Sequence, residues 1–376
     1  MVRCLATLLL LSGVLFPAFA QRPQAQVPAS ATEVIERLPR GYSSLRPPAK
    51  STTGRPANPI VAAEQLLQAA GRTGDTRLAA RADALLATIP DTQASVQVRK
   101  SQAYSAQHRH DFALSLKLLN AIVQEDPRDP DARLARAQLH LVQGRIRAAR
   151  ADCAALVLTI DIGSGSVCVA ALSLRTGDLP HAAKFADSWL AQPGAAPSLR
   201  RFMLVMRGDI AARAHRPDAD TWFRQALVLA PDDVRTLSAY ARYLNGAGRP
   251  RDTLALLANA PDADGLQLQH ALAARASGAG DARRLADAQA RRYALAREVG
   301  MEPELRDEAE LALTLRGDAA HALELAQRNF EAQRDYEDVD LLQRAALAAK
   351  RPDALKTLKA WAKQEAVTLP TPKSGR

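Results

Sequence analysis

The sequence predicts an all-α chain, an α-α superhelix of about nine stacked helical hairpins. Three observations carry this: a helix-forming composition, a short turn recurring at a near-constant period, and small residues at fixed distances on either side of that turn. Alanine, leucine and arginine dominate the 376 residues and aromatics make up 4%. Sheets draw on β-branched and aromatic residues, whereas alanine, leucine and arginine are the best helix formers.

The period appears once the turns are aligned. Gly74-Asp75, His110-Asp111, Gly144-Arg145, Gly177-Asp178, His215-Arg216, Gly248-Arg249, Gly280-Asp281, Gly317-Asp318 and Lys350-Arg351 follow one another at intervals of 32 to 38 residues. Glycine at such a turn takes the left-handed conformation that ends a helix, and the aspartate after it caps the next helix. Seven residues before the turn stand Ala103, Ala137, Ala170, Gly208, Ala241 and Ala273; five after it stand Ala79, Ser115, Ala149, Ala182 and Ala322. Small side chains at both places let two antiparallel helices approach closely. Pro90, Pro127, Pro193 and Pro231 fall 16 or 17 residues after their turns, where a proline stops the second helix. Leu116, Leu119 and Ile122 form an apolar stripe for stacking on a neighbouring hairpin.

These residues resemble the tetratricopeptide repeat family. His110-Asp111-Phe112-Ala113 through Asp126-Pro127 looks like the second half of one such repeat, and Thr221 to Pro231 is similar to another. The resemblance spans roughly residues 60 to 369. The chain departs from the pattern where the large aromatic early in the first helix is missing, where Glu310 and Gln343 replace the small residue, and where Arg283 to Glu298 reads as an over-long second helix. The last three repeats are therefore the least regular. The resemblance implies a right-handed superhelix that binds peptides or proteins along a concave groove lined by first helices. Carried over residue by residue, the groove positions are Lys100, Tyr104, His108, Gln138, Arg201, Arg235, Arg242 and Asn245. The set is cationic with one aromatic, suited to an acidic or carboxylate-bearing peptide; a merely solvated groove is the other reading.

The ends read differently. Arg3, an apolar run from Leu5 to Phe16 and Ala18-Phe19-Ala20 make residues 1–20 a cleavable signal peptide. The run is too short to span a bilayer, which takes about 20 apolar residues, and no later segment is free of charges. The mature chain is expected to carry no transmembrane segment and to be periplasmic or secreted. Residues 21–58 are a proline-rich linker. Within it Ser30-Ala-Thr-Glu33 resembles a capping box leading into Val34 to Leu38, read either as a short helix or as part of an extended leader. Residues 59–369 are the solenoid and 370–376 a disordered tail. With Cys4 removed, Cys153 and Cys168 remain as an even pair in an oxidising compartment. They fall on antiparallel helices of adjacent repeats, equidistant from the turn at Ile160-Asp161, which predicts a disulfide.

Chemistry is sparse. No nucleophile elbow, zinc-binding His-Glu-x-x-His or phosphate loop occurs. Asp161-Ile-Gly163-Ser-Gly165 reads as a flexible inter-repeat loop rather than a phosphate turn. Met203 and Met206 with His181 or His215, and His108 with His110, read as core or turn residues rather than a metal site. The net charge of +10 includes Arg3 and forms no basic block, and with few aromatics it gives no surface for nucleic acid. No cofactor is expected. The chain reads as a non-catalytic interaction scaffold, with an accessory subunit of an envelope transport or assembly enzyme as the alternative.

Overall fold

The structure is a computed structural model that describes residues 58–90, 94–298 and 303–371. The expected signal peptide and all of the expected linker but Asn58 lie outside the described residues. Eighteen α-helices and no strand occur among the described residues. They form nine hairpins: α1 (Pro59–Thr73) with α2 (Thr76–Leu86), α3 (Val96–His108) with α4 (Phe112–Glu125), and α5 (Pro130–Val142) with α6 (Ile146–Ala155). Next come α7 (Ile162–Thr176) with α8 (Leu179–Leu190), α9 (Pro197–Arg213) with α10 (Ala219–Leu229), and α11 (Val234–Gly246) with α12 (Pro250–Leu257). The last are α13 (Asp264–Ala276) with α14 (Ala282–Glu298), α15 (Leu305–Glu310) with α16 (Ala319–Ala332), and α17 (Tyr336–Ala348) with α18 (Lys356–Glu365).

Local chemistry explains the hairpins. Gly74, Gly144, Gly177, Gly248 and Gly317 sit at φ between 68° and 89°, and His110, His215 and Lys350 take the same left-handed conformation without being glycine. Asp75, Asp111, Asp178 and Asp318 then cap the following helices with their carboxylates. In the seventh hairpin the left-handed residue is Gly278, not Gly280, so the predicted turn is displaced by two residues. The small positions do the packing expected of them. Ala137, Ala170, Ala241 and Ala273 are 0% exposed, as are Ala79, Ser115, Ala149, Ala182 and Ala322. At Gly208 a Cβ would lie 2.8 Å from the ring of Phe223, so α9 and α10 meet where only glycine fits without displacement.

One irregular place is where the small residue gives out. The helix of α15 widens into a π-turn, Leu311–Arg316, directly after Glu310, whose bulk occupies the small position. A second π-turn, Leu156–Ile160, ends α6. It corrects the reading of the next segment: Asp161-Ile-Gly163-Ser-Gly165 is not a loop but the start of α7. Asp161 accepts from the amides of Gly163 and Ser164, and a Cβ at Gly165 would lie 2.8 Å from the backbone nitrogen of Val157. Glycine here serves close helix packing, and the amides are taken by the cap.

First helices of successive hairpins touch one another and make the inner layer, α5 on α7 and α7 on α9 among them. The inner layer also curls until distant repeats meet: α1 packs against α11. On the other side of the turn of superhelix, the ninth hairpin reaches the third and fourth. The Arg334 amide donates to the Val142 carbonyl at 2.8 Å and the Thr368 amide to the Thr176 carbonyl at 3.3 Å. The buried Trp361 indole donates to the Gly144 carbonyl at 2.8 Å. Val367 packs on the core of repeats three to five, and Pro370, placed by sequence in the disordered tail, is buried.

Candidate functional site: the inner face of the superhelix

Three of the eight predicted groove residues are committed to joining repeats. Lys100 on α3 pairs with Asp129 at 2.8 Å and Asp131 at 3.1 Å, at the start of α5. Burial works against its charge, but the two carboxylates outweigh it and raise its pKa. Arg201 on α9 lies 3.4 Å from Asp233, the cap of α11. Asn245 donates to both the backbone and side-chain oxygens of Gln269 and accepts from the Thr253 hydroxyl. Its amide is hydrogen-bonded within the scaffold. Gln138 is half-buried on α5.

The other four gather in two groups. Tyr104 and His108, a helical turn apart on α3, meet edge to face with ring centroids 4.9 Å apart. A Cβ at Gly71 on α1 would lie 3.6 Å from the Tyr104 hydroxyl and 3.7 Å from the His108 ring, so this glycine leaves the two side chains room. The charge of Arg235, on α11 in the sixth repeat, acts on His108. Burial, the Arg235 charge and His110 together push the His108 pKa down to about 4. His108 is therefore neutral at physiological pH, and its Nε2 makes no hydrogen bond among the described residues. Tyr104 is 42% exposed. Repeats one, two and six thus build one small neutral and cationic patch.

The second group surrounds Arg242, whose charge favours the ionised forms of Asp209 of α9, Asp307 of α15 and Glu337 of α17. Around it stand residues that the sequence reading passed over. Arg175 of α7 lies 2.5 Å from Asp335. Arg213 of α9 donates to the Leu174 carbonyl and stacks over Tyr336 at 3.9 Å. Burial pushes Asp209 up to about 7, helped by the charge of Glu337 and opposed by Arg242, Arg175 and Arg213. Asp338 is likewise pushed up to about 7 by burial and by Asp335, against the pull of Arg306. Glu337 is held below the usual carboxylate range: burial opposes its charge, but Arg242, Arg175 and Arg306 outweigh it. The repeat register contains the signal for these residues. Arg175 and Arg213 precede their turns by two positions, as His108 does, and Asp209 precedes its turn by six, as Tyr104, Gln138 and Arg242 do.

Elsewhere the charged clusters are structural. Asp152, 2% exposed, accepts from Arg133 and Arg136 and ties α5 to α6. Met203 and Met206 are buried in the central core, and no group of three or more His, Cys, Asp or Glu among the described residues is placed to hold a metal. Cys153 on α6 and Cys168 on α7 are joined as a disulfide, with Cα atoms 5.2 Å apart. No described helix is long and apolar enough to cross a membrane.

No protein-family model matches the chain, and no curated protein does. Among solved structures it is similar to a tetratricopeptide repeat protein from Parabacteroides merdae, at 14% identity over 66% of this chain and 98% of that one, with a TM-score of 0.42. It is also similar to yeast Tom70, at 10% identity over 81% and 84% of the two chains, with a TM-score of 0.27. The hairpin geometry, the turn register and the buried small residues of this chain make it a tetratricopeptide-like superhelix in its own right.

Proposed function

We propose that this chain is an exported, non-catalytic scaffold of the bacterial periplasm that holds a protein or peptide partner on its inner face. The observation that carries the reading is the convergence of Tyr104 and His108 with Arg235 from four repeats away. An exposed aromatic and an exposed guanidinium, with the His108 ring packed edge to face against Tyr104, are recognition chemistry for a carboxylate-bearing peptide. They are not a catalytic set: a base needs a reacting group's proton within hydrogen-bond reach and a pKa near the working pH, and His108 has been driven well below it. The signal-like residues 1–20 and the facing cysteines support export.

The test is cross-linked capture from the native periplasm, comparing the wild-type chain with Arg235→Glu combined with Tyr104→Ala. Both side chains are exposed, and such substitutions usually shift stability by within about 0.5 kcal/mol. The doubly substituted chain is expected to keep its helicity and lose its partner. Unchanged capture would remove the Tyr104, His108 and Arg235 patch from consideration as the docking surface.

A further inference from the structure

The inner face already has an occupant, and it comes from the chain itself. The first turn of α17 reads Asp335-Tyr336-Glu337-Asp338 and enters the groove between repeats four, five and six. Its first two side chains each meet an arginine of the inner layer. Asp335 pairs with Arg175 at 2.5 Å and the Tyr336 ring lies under Arg213 at 3.9 Å, while the charges of Arg242, Arg175 and Arg306 together favour the ionised form of Glu337. Asp338 turns back, accepts from the Asp335 amide at 2.7 Å and lies 3.6 Å from Arg306.

This arrangement separates what the helix needs from what the groove takes. The reciprocal bonds of Asp335 and Asp338 form a capping box that satisfies the helix start without any arginine. The contacts to Arg175 and Arg213 are additional: an acidic-aromatic pair laid on two guanidiniums from two helices, followed by an acidic residue in the field of Arg242. They have the form of a recognition event, with one bidentate-capable ion pair and one cation–π contact. They are made by the same kind of surface that was read as suited to an acidic peptide.

We propose that the ninth hairpin is an internal latch: Asp335 to Glu337 fills the arginine-lined part of the groove, and a partner carrying an acidic-aromatic segment binds by displacing it. The inference rests on the scaffold reading above and names the partner's chemistry. The segment between α16 and α17 is short and extended at Gln333, with φ −129° and ψ 139°, and the bond from the Arg334 amide to the Val142 carbonyl is what opening would break. While the latch is closed, the apparent affinity for such a partner is lowered by the fraction of open molecules.

A fluorescein-labelled peptide copy of residues 334–340 is the probe, and the full mature chain the receptor. Asp335→Asn combined with Glu337→Gln loosens the latch and keeps the side-chain shapes. This variant is expected to bind the peptide at least about tenfold more tightly than wild type, because the internal competitor is weakened. Thr176→Cys with Thr368→Cys, at positions already joined by a backbone hydrogen bond, is expected to abolish binding when oxidised and not before oxidation. A loosened variant of wild-type helicity that binds no better than wild type overturns the proposal, as does an oxidised chain that binds normally. Should the loosened variant fail to fold, amide exchange of wild type decides: amides of 335–339 that exchange well before global unfolding support the latch, and exchange only through global unfolding overturns it. Loss of periplasmic capture by the Arg235 and Tyr104 substitutions is a separate result, so the scaffold reading and the latch can fail independently.

Discussion

Gly144 and Gly248 form a matched pair that measures how firmly the superhelix closes on itself. Both end the first helix of a hairpin, at φ 68° and 72°. Their hydrogen bonds correspond: each glycine amide donates to the carbonyl three residues back, at 3.0 and 3.1 Å, and the following arginine amide to the carbonyl five residues back, at 2.8 and 2.9 Å. Only the surroundings differ. A Cβ at Gly248 meets nothing within 4 Å, whereas one at Gly144 would stand 2.7 Å from Arg334 Cδ, 2.9 Å from Arg334 Cβ and 2.9 Å from the Trp361 ring. Gly248→Ala should therefore cost only the left-handed strain, about 1–2 kcal/mol. Gly144→Ala carries the same strain plus the cost of overpacking a closed contact, roughly 1–3 kcal/mol more. Urea unfolding followed by circular dichroism gives both values from one protocol, provided the two variants share the wild-type slope. Costs equal to within about 0.5 kcal/mol, the usual scatter for surface changes, would refute the closed contact between the third and ninth hairpins.

Three further outcomes follow from the same geometry. Trp361→Phe removes the buried bond to the Gly144 carbonyl and should cost about 1–3 kcal/mol by leaving that acceptor unpaired; a cost near zero in the same unfolding assay would mean that water satisfies the carbonyl. Thiol titration of mature protein, unfolded without reductant, should find Cys153 and Cys168 unreactive, and their joint replacement by alanine should cost about 3 kcal/mol for a loop of this length; two titratable thiols per chain would end the idea. The third outcome concerns Asp209, which burial and the charge of Glu337 push up to about 7 against the pull of Arg242, Arg175 and Arg213, from an ordinary 3.8. The folded chain holds an extra proton between those values, so this site's contribution is present below about pH 4 and is lost as the pH rises to about 7. Asp209→Asn has nothing to lose, and relative to wild type it should gain roughly 1–2 kcal/mol between pH 5 and pH 8 once access of water is discounted; parallel pH profiles for the two would contradict the assignment.

What was legible in the sequence was whatever repeats locally. A left-handed turn residue, an aspartate cap and a small residue seven positions earlier act within one hairpin, so each leaves its mark at a fixed offset, and all nine hairpins could be counted. Gly280 was misread because Gly278 supplies the left-handed turn two residues earlier, and both are glycines. Asp161 to Gly165 was misread because glycines in sequence suggest a loop, while here they admit the π-turn of α6 against α7. Positions on the inner face could be named from the register, but not their occupation. Arg242 was legible as a groove residue; that its charge acts on Glu337 depends on how far the superhelix curls, a sum of small rotations per repeat that no single hairpin encodes. Asn245 shows the same limit in reverse, since its partners Gln269 and Thr253 lie in neighbouring helices.

The closing contacts bear on how this chain folds as well as on what it holds. In an open array each hairpin meets only its neighbours, stability is close to a sum of nearest-neighbour terms, and unfolding can spread from either end. Here the Trp361 indole reaches the Gly144 carbonyl across 217 residues of sequence, and Arg147 reaches Glu365 across 218. Such contacts form only after most of the hairpins are in place, since closing a long loop costs entropy before any contact rewards it. The chain should therefore assemble rapidly within hairpins and slowly at the last step. Trimming it from the C-terminus should loosen repeats three and four, far from the cut, rather than simply shorten the array.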